Sequence, residues 1–348
     1  MHMSDALLSP GVGASFCVIS GGAVAYCARK LGDREETASV KVPLMGVLGA
    51  FVFAGQMINF SIPGTGSSGH IGGGMLLTML LGPYAAFITM SCILIIQALL
   101  FADGGVLALG ANIFNMGAWP CFLGWLIYRA IAGRNPTPGR LRAASLLGVV
   151  LCLELGALGV TVQTVLSGRS ELPLGPFAAM MLGIHLPIGL MEGLATAAVV
   201  AYVHRLRPSI IESLFEPASG RAEASTLKPV LLSLGAAAVL TAGVLSWFAS
   251  GRPDGLEYSV AKISGHEELP LRGRVTRRLA QLQEKTALLP DYGFRAEAEG
   301  ETAGGDEAWP SPSAGTTFAG LVGAFATLIM AALAGGLFFS LRPGEAAK

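Results

Sequence analysis

The chain has 348 residues, of which 52% are hydrophobic and only 13% are charged, and its formal net charge is zero. Soluble domains carry about 25% charged residues, so this composition excludes an ordinary soluble enzyme or binding domain. The balanced charge removes any electrostatic argument for nucleic acid as a partner. Several apolar runs approach or exceed the roughly 20 residues that a helix needs to cross a bilayer. We therefore expect an all-α polytopic membrane protein.

Apolar runs bounded by charged residues or by Gly and Pro predict nine membrane crossings, seven before a polar connection and two after it. They lie at 11–29, 43–60, 71–81, 84–101, 112–131, 143–166, 176–203, 227–249 and 317–341. Gly82-Pro83 fits either a turn between two helices or a kink in one. Basic residues alternate cleanly between the loops when 71–81 and 84–101 are counted as two crossings. This count predicts an N-terminus outside the membrane and a C-terminus in the cytoplasm.

The predicted crossings form two modules joined by a polar connection. Residues 1–210 form a seven-helix module, 211–226 a cytoplasmic linker, and 227–348 a module with two further crossings. The polar segment 250–316 between those last crossings is expected to lie outside the membrane. Its second half, Ala296–Ala314, is rich in Gly, Glu, Ser and Pro, which predicts mobility.

The most informative stretch is the amino terminus, Met1-His2-Met3. A histidine at position 2 places a free α-amine, a backbone amide nitrogen and an imidazole on consecutive residues. These nitrogens can close fused chelate rings in one plane around a divalent metal, a geometry that Ni(II) and Cu(II) prefer. The bulky second side chain should protect Met1 from removal, and the N-terminus lacks the pattern of a cleaved signal peptide. The alternative is that the histidine at position 2 occurs there by chance and binds no metal.

A second histidine lies in the glycine-rich segment Ser61–Gly74, near the start of the third apolar run. The predicted topology puts His70 on the same side of the membrane as His2. Glycines on both sides of it leave room for another chain segment to come within bonding distance. An N-terminal strand that folds back would let His70 complete a four-nitrogen site with Met1 and His2. The alternative is a tight turn in which His70 satisfies backbone carbonyl groups.

Four more polar side chains lie in or beside the apolar runs, where ionisable groups are costly and often functional. His185 and Glu192 share one face of the seventh predicted helix and could pair, ligate metal or contact partners; a structural hydrogen-bonding role is favoured. His185 is predicted near mid-span, and Glu192 deeper toward the cytoplasm, away from the outer site. Asn112 and Asn115 begin the fifth predicted helix. Capping is one expected role there, and orienting His70 or the N-terminal strand is the other.

These motifs together resemble the CbiM/NikM family, the substrate-capturing membrane components of energy-coupling-factor cobalt and nickel importers. The resemblance covers residues 1–210 and rests on the amino terminus, Gly64–Gly74, Gly110–Gly117 and His185–Gly193. The remainder of the chain resembles the small accessory subunit of the same importers. That part of the resemblance rests on two short motifs, Arg252–Glu257 and Leu289–Phe294. The whole chain therefore resembles the fused form of the two subunits.

The resemblance implies a near-planar metal site made by the Met1 amine, the His2 backbone nitrogen and imidazole, and the His70 imidazole. It implies Ni²⁺ or Co²⁺ as the transported substrate, captured at the outer face of a bacterial cytoplasmic (inner) membrane. It also implies a transmembrane coupling subunit and cytoplasmic ATPase subunits as partners. The sequence has no phosphate-binding Walker motif, so we expect a transporter component without its own ATPase, and no enzyme.

The N-terminal strand departs from the family pattern. The family usually has Ile-Pro at the positions of Met3 and Ser4, and Gly at the position of Ala6. Losing the proline should make the strand less preorganised without altering the ligands. Met3 is expected to pack rather than to ligate metal through its thioether.

Two alternatives to nickel capture remain open from the sequence. Cobalt is the alternative within the class, because the same four nitrogens bind both ions and planarity favours nickel only modestly. A membrane metal sensor without a transport role is the alternative from another class. A membrane enzyme would need convergent acid–base or nucleophilic groups, and no such cluster is visible in the sequence.

Overall fold

The computed structural model describes residues 1–33, 38–133, 136–169, 172–215, 227–266, 269–294 and 309–340. Most of the segment predicted to be mobile, 296–314, and most of the predicted linker, 211–226, lie outside the described residues. Regular structure in the described part is almost entirely helical. In chain order the helices are α1 (Pro10–Gly32), α2 (Ala38–Gln56), α3 (Gly74–Leu81), α4 (Pro83–Phe101), α5 (Leu109–Ile113), α6 (Gly124–Ala132), α7 (Pro138–Ser167), α8 (Leu174–Leu206), α9 (Pro208–Glu212), α10 (Lys228–Gly243), α11 (Gly255–Ser264), α12 (Arg274–Thr286) and α13 (Ala314–Ser340).

Six of these helices, α1, α2, α4, α7, α8 and α13, are long and apolar enough to cross a membrane. The predicted all-α polytopic membrane fold is therefore confirmed. Two short strands, β1 (Phe60–Ser61) and β2 (Ser68–Gly69), pair antiparallel between α2 and α3. They close the loop that carries the predicted ligand His70.

The remaining predicted crossings are also helical, but shorter or interrupted. α3 has eight residues, so at 1.5 Å per residue it spans roughly 12 Å and cannot cross a bilayer by itself. Gly82 adopts a positive φ of 79° between α3 and α4, which shows that Gly82-Pro83 is a turn between two helices. The fifth crossing joins α5 to α6 through a π-helical stretch at Phe114–Leu123. Pro120 lies inside that stretch, and a proline removes one backbone donor from a regular helix.

The two C-terminal helices are built into the bundle. α10 and α13 pack against α2, and α13 also packs against α4. The packed face of α13 consists largely of small residues, among them Gly320, Gly323 and Ala331. A Cβ added at Gly323 would lie 2.1 Å from the ring of Phe53. Small side chains of this kind let helix backbones approach closely in lipid.

The crossing of α5 and α1 is another close contact that depends on glycine. A Cβ at Gly110 would lie 2.3 Å from the backbone nitrogen of Cys17. We expect Gly110→Ala to lower the free energy of unfolding by about 1–3 kcal/mol, because the added methyl group must push the two helices apart. Gly22→Ala on α1 is the matched control, since its Cβ would meet no atom within 4 Å. Thermal unfolding of both variants in detergent tests this packing, and equal melting temperatures would contradict it.

Candidate metal centre

The N-terminal strand is held in a groove at one end of the bundle by backbone pairing to the side chain of Asn112. The Met3 amide donates to Asn112 Oδ1 at 2.8 Å, and Asn112 Nδ2 donates to the Met3 carbonyl at 3.2 Å. Met3 is fully buried, and its sulfur lies 3.8 Å from Asn115 Nδ2. Asn112 lies inside α5 rather than at its N-cap. Of the two roles expected for it, the structure shows the contact with the N-terminal strand.

Asp5 fixes the other end of this strand against the loop between α4 and α5. Its Oδ1 accepts a hydrogen bond from the Ala108 amide at 3.1 Å. The loop approaches so closely that a Cβ at Gly105 would collide with the Asp5 carboxylate. Burial raises the pKa of Asp5. The strand therefore has little freedom to move along the groove.

The Met1 amine lies beside the imidazole of His70. The amine nitrogen is 3.5 Å from His70 Nε2, while His70 Nδ1 is 3.0 Å from the carbonyl oxygen of Ile71. A carbonyl oxygen can only accept, so Nδ1 carries the proton and the Nε2 lone pair faces the amine. Burial, helped by the nearby positive charge of the amine, lowers the pKa of His70 to about 3. His70 is thus a neutral imidazole with its free nitrogen directed at the terminus.

His2 stacks on His70. Their ring centroids are 5.3 Å apart and the rings are inclined by 13°. His2 Nδ1 is 3.1 Å from Asp103 Oδ1, and His2 Nε2 is 3.1 Å from Gln97 Oε1. Burial lowers the pKa of His2, and the Asp103 carboxylate opposes this shift. The structure therefore brings together all three of the predicted ligand residues at one end of the bundle.

Asp254, from the C-terminal module, pairs with the Met1 amine. Its Oδ2 is 2.9 Å from the amine nitrogen, and its Oδ1 accepts hydrogen bonds from the amides of Leu256 and Glu257, both at 2.8 Å. Burial disfavours its ionised form, but the ammonium group and His70 hold the pKa of Asp254 below its ordinary value. Asp254 caps α11 and neutralises the terminus with the same carboxylate.

Sequence reasoning missed Asp254 as a site residue. Its capping role could have been found, because an acidic residue followed three positions later by Glu is a capping-box pattern. Its contact with Met1 joins residues 253 positions apart, which no local pattern encodes. The same module also contacts the His70 loop, where the Ser68 amide donates to the carbonyl of Pro253 at 2.8 Å.

Glu192 holds the backbone immediately after His70. Its Oε2 accepts from the Gly72 amide and its Oε1 from the Gly73 amide, both at 2.8 Å. The prediction that Glu192 lies away from the outer site is therefore wrong. The error arose because α3 is short, so the segment before it extends deeper into the bundle than an ordinary loop and meets α8 there.

His185 and Asn115 also lie around the site. His185 Nδ1 donates to the Met181 carbonyl at 2.7 Å, and its ring lines a small cavity together with His70 and Asp254. Asn115 exchanges two hydrogen bonds with Gln163, at 2.7 and 2.9 Å. Both residues therefore have hydrogen-bonded structural roles in the described contacts.

The groups that meet at this end of the bundle include a terminal amine as well as side chains. Across the described ranges, no three His, Cys, Asp or Glu side chains converge in a way that could hold a metal ion. His70 Nε2 does lie 3.5 Å from the terminal amine, and the amide and imidazole of His2 belong to the next residue of the chain. An all-nitrogen donor set of this kind suits a tetragonal divalent ion.

Comparison with known families decides where the chain belongs. Residues 2–210 match the family described as CbiM, the cobalt uptake substrate-specific transmembrane region. The chain is a member of the CbiM family. Residues 228–340 match the PDGLE domain, so this CbiM-family chain carries both parts that the sequence motifs indicated. The resemblance inferred from those motifs is confirmed.

Relatives of this CbiM-family chain include other fused proteins. It is 32% identical over 335 residues to a putative fused nickel transport protein, NikMN, of Archaeoglobus fulgidus, covering 96% of each chain. It is 30% identical over 217 residues to a probable fused nickel transport protein, LarMN, of Lactiplantibacillus plantarum, covering 60% of this chain and 66% of that one. A crystal structure described as a transition metal transporter matches with a TM-score of 0.53 and 30% identity, covering 63% of this chain and 100% of that one.

Proposed function

We propose that this chain captures Ni²⁺ at the outer face of the membrane for import by an energy-coupling-factor transporter. The observation that carries the proposal is the convergence of a terminal amine, the His2 imidazole and the Nε2 lone pair of His70 in a buried site. His2 and its backbone nitrogen would form the chelate with the amine, and His70 would close it. The membership of the CbiM family supports a transport role for this site.

The Met1 amine and the His70 imidazole need only a small adjustment to become neighbouring ligands of one metal ion. Metal–nitrogen bonds to imidazole are about 2.0–2.1 Å long, so neighbouring ligands in a square plane lie roughly 2.9 Å apart. The Met1 amine and His70 Nε2 are 3.5 Å apart, which leaves a closure of roughly 0.6 Å at that bond length. The amine must also lose its proton, so binding should release protons. Asp254 holds the ammonium form at 2.9 Å and is the nearest acceptor among the described contacts.

Nickel is the proposed substrate because a planar four-nitrogen set favours it over cobalt. Cobalt remains the alternative, since the chain is also 29% identical over 219 residues to the cobalt transport protein CbiM of Geobacter sulfurreducens, covering 62% of each chain. The proposed division is a capture module at 1–210 and an accessory module at 227–348. Transmembrane coupling and cytoplasmic ATPase subunits are the proposed partners. The N-terminus is proposed to lie outside the cytoplasmic membrane and the C-terminus inside.

Replacement of His70 tests the proposed site directly. We expect His70→Ala to weaken Ni²⁺ binding by more than the 10- to roughly 100-fold loss that follows removal of a group outside the ligand set. Isothermal titration of the purified protein with Ni²⁺ and with Co²⁺ gives both the affinity and the preferred ion. His266→Ala is the matched control, because His266 is an exposed histidine beyond the end of α11. Equal affinities of the two variants would contradict the proposed site.

A further inference from the structure

A chain of buried amide groups connects His2 to the loop that carries His70. Gln97 Oε1 lies 3.1 Å from His2 Nε2, Gln97 Nε2 donates to Gln56 Oε1 at 2.7 Å, and Gln56 Nε2 donates to the Gly72 carbonyl at 2.7 Å. Gln97 is fully buried and Gln56 is 5% exposed. Glutamine pairs inside an apolar bundle need mutual hydrogen bonds, because unpaired amides there are costly.

The direction of this hydrogen-bond chain is fixed at its far end. The Gly72 carbonyl can only accept, so the amide nitrogen of Gln56 must face it and the amide oxygen of Gln56 must face Gln97. Gln97 then presents its own nitrogen to Gln56 and its oxygen to His2. An oxygen acceptor beside His2 Nε2 favours a hydrogen on that nitrogen.

Tyr292 binds the carboxylate that faces His2. Its hydroxyl donates to Asp103 Oδ2 at 2.5 Å, while Oδ1 of the same carboxylate faces His2 Nδ1.

We propose that Gln97 and Gln56 are positioning residues that set the tautomer of His2, so that Nε2 holds the hydrogen and Nδ1 keeps its lone pair. The proposal rests on the proposed metal site. Nδ1 is the nitrogen closer to Cβ, so it is the one that can form a compact chelate ring with the backbone nitrogen of His2. It faces Asp103 Oδ1 at 3.1 Å, so Asp103 and Gln97 compete for the single hydrogen of the neutral imidazole, and the glutamine chain is what directs that hydrogen to Nε2.

The same chain couples the two histidines. Gly72 follows His70 by two residues, and its carbonyl receives the last hydrogen bond of the chain. A displacement of the His70 loop therefore moves the carbonyl that accepts from Gln56. Because Gln56 is bonded to Gln97, the displacement also changes the hydrogen bond between Gln97 and His2. Groups that fix the tautomer of a ligating histidine typically contribute 10- to 100-fold in metal affinity, about the size of effect expected here.

The tautomer can be read directly by nitrogen NMR. Protein labelled with ¹⁵N-histidine and free of metal is measured at about pH 8, above the ordinary histidine pKa. The His2 signals are assigned by their loss in His2→Ala. We expect wild-type His2 to be the Nε2–H tautomer and Gln97→Met to lose this preference. A wild-type His2 with the hydrogen on Nδ1, shared with Asp103, would overturn the proposal.

Nickel titration supplies the second measurement. Gln97→Met should weaken Ni²⁺ binding by about 10- to 100-fold. Gln56→Met should weaken it less, because Gln56 bonds to Gln97 and acts on His2 only through it. Ser91→Ala is the control on α4, since its buried hydroxyl bonds only to the Phe87 carbonyl of its own helix in the described contacts. Unchanged affinity in Gln97→Met would reject the positioning role.

His2→Ala separates this proposal from the metal site itself. If His2→Ala binds Ni²⁺ like the wild type, the site proposed above is wrong, and the positioning role is wrong with it. If His2→Ala loses binding while Gln97→Met does not, only the role of the glutamines is rejected.

Discussion

Insertion of one alanine between Met1 and His2 is expected to abolish stoichiometric nickel binding. The insertion separates the amine from the amide and imidazole nitrogens of His2, so the fused chelate rings can no longer form around one ion. It also adds about 3.3–3.6 Å of chain to a strand that is held on both sides. Met1 is only 6% exposed and Met3 is fully buried, so the added residue has no free space. The expected loss exceeds the roughly 100-fold effect of changing a group outside the ligand set.

Isothermal titration and visible absorption of the nickel form measure this effect. The wild type should show the yellow colour of planar nickel, and the insertion variant should not. An alanine inserted after Gly265 is the matched control, because a Cβ at that exposed helix end meets no atom within 4 Å. Binding that survives the insertion before His2 would remove the amine from the ligand set. The search for ligands would then turn to His70 together with His185.

Replacement of Glu192 by leucine is expected to have the second largest effect, on both stability and metal affinity. Glu192 is 3% exposed and is the hydrogen-bond acceptor for the amides of Gly72 and Gly73. Leucine would leave both donors unpaired, and each buried unpaired donor costs about 1–3 kcal/mol. Because these glycines directly follow His70, the loop should also lose its fixed position. We expect the free energy of unfolding to fall by about 2–6 kcal/mol.

Glu154→Leu on the neighbouring helix α7 is the control for this experiment. Its Oε1 is buried without a hydrogen-bond partner, so removing that carboxylate should be neutral or stabilising. Thermal unfolding without metal, followed by nickel titration, compares the two variants. A Glu192→Leu protein that unfolds at the wild-type temperature would show that the carboxylate does not hold the His70 loop.

The contacts of Asp254 and Tyr292 give the C-terminal module a direct part in the site. Asp254 lies 2.9 Å from the Met1 amine, and Tyr292 donates to the aspartate that faces His2. Gln283 adds two hydrogen bonds to the backbone around the same loop, at Ala98 and Gly104. The module therefore stabilises two segments that carry or surround the proposed ligands, the N-terminal strand and the loop after α4.

The sequence by itself determined the fold class and the helical segments. Hydropathy is a local property, so apolar runs such as 84–101 and 176–203 predicted α4 and α8 without knowledge of their neighbours. The distribution of charge favoured a turn at Gly82-Pro83 over a kink, although α3, with eight residues, is too short to cross the bilayer as that count assumed. His2 and His70 were singled out by chemistry, because few arrangements place an imidazole beside a free amine. Their role as ligands stays a prediction.

The tertiary structure decided which residues surround those histidines. Met1 meets Asp254 across 253 positions of sequence, and Gly72 meets Glu192 across 120. Such contacts depend on how far each helix extends and on which helices touch, and neither is encoded in a local pattern. The short α3 shows this best. Because it has only eight residues, the His70 loop reaches into the bundle, where the carboxylate of α8 and the glutamine pair of α2 and α4 can bind its backbone.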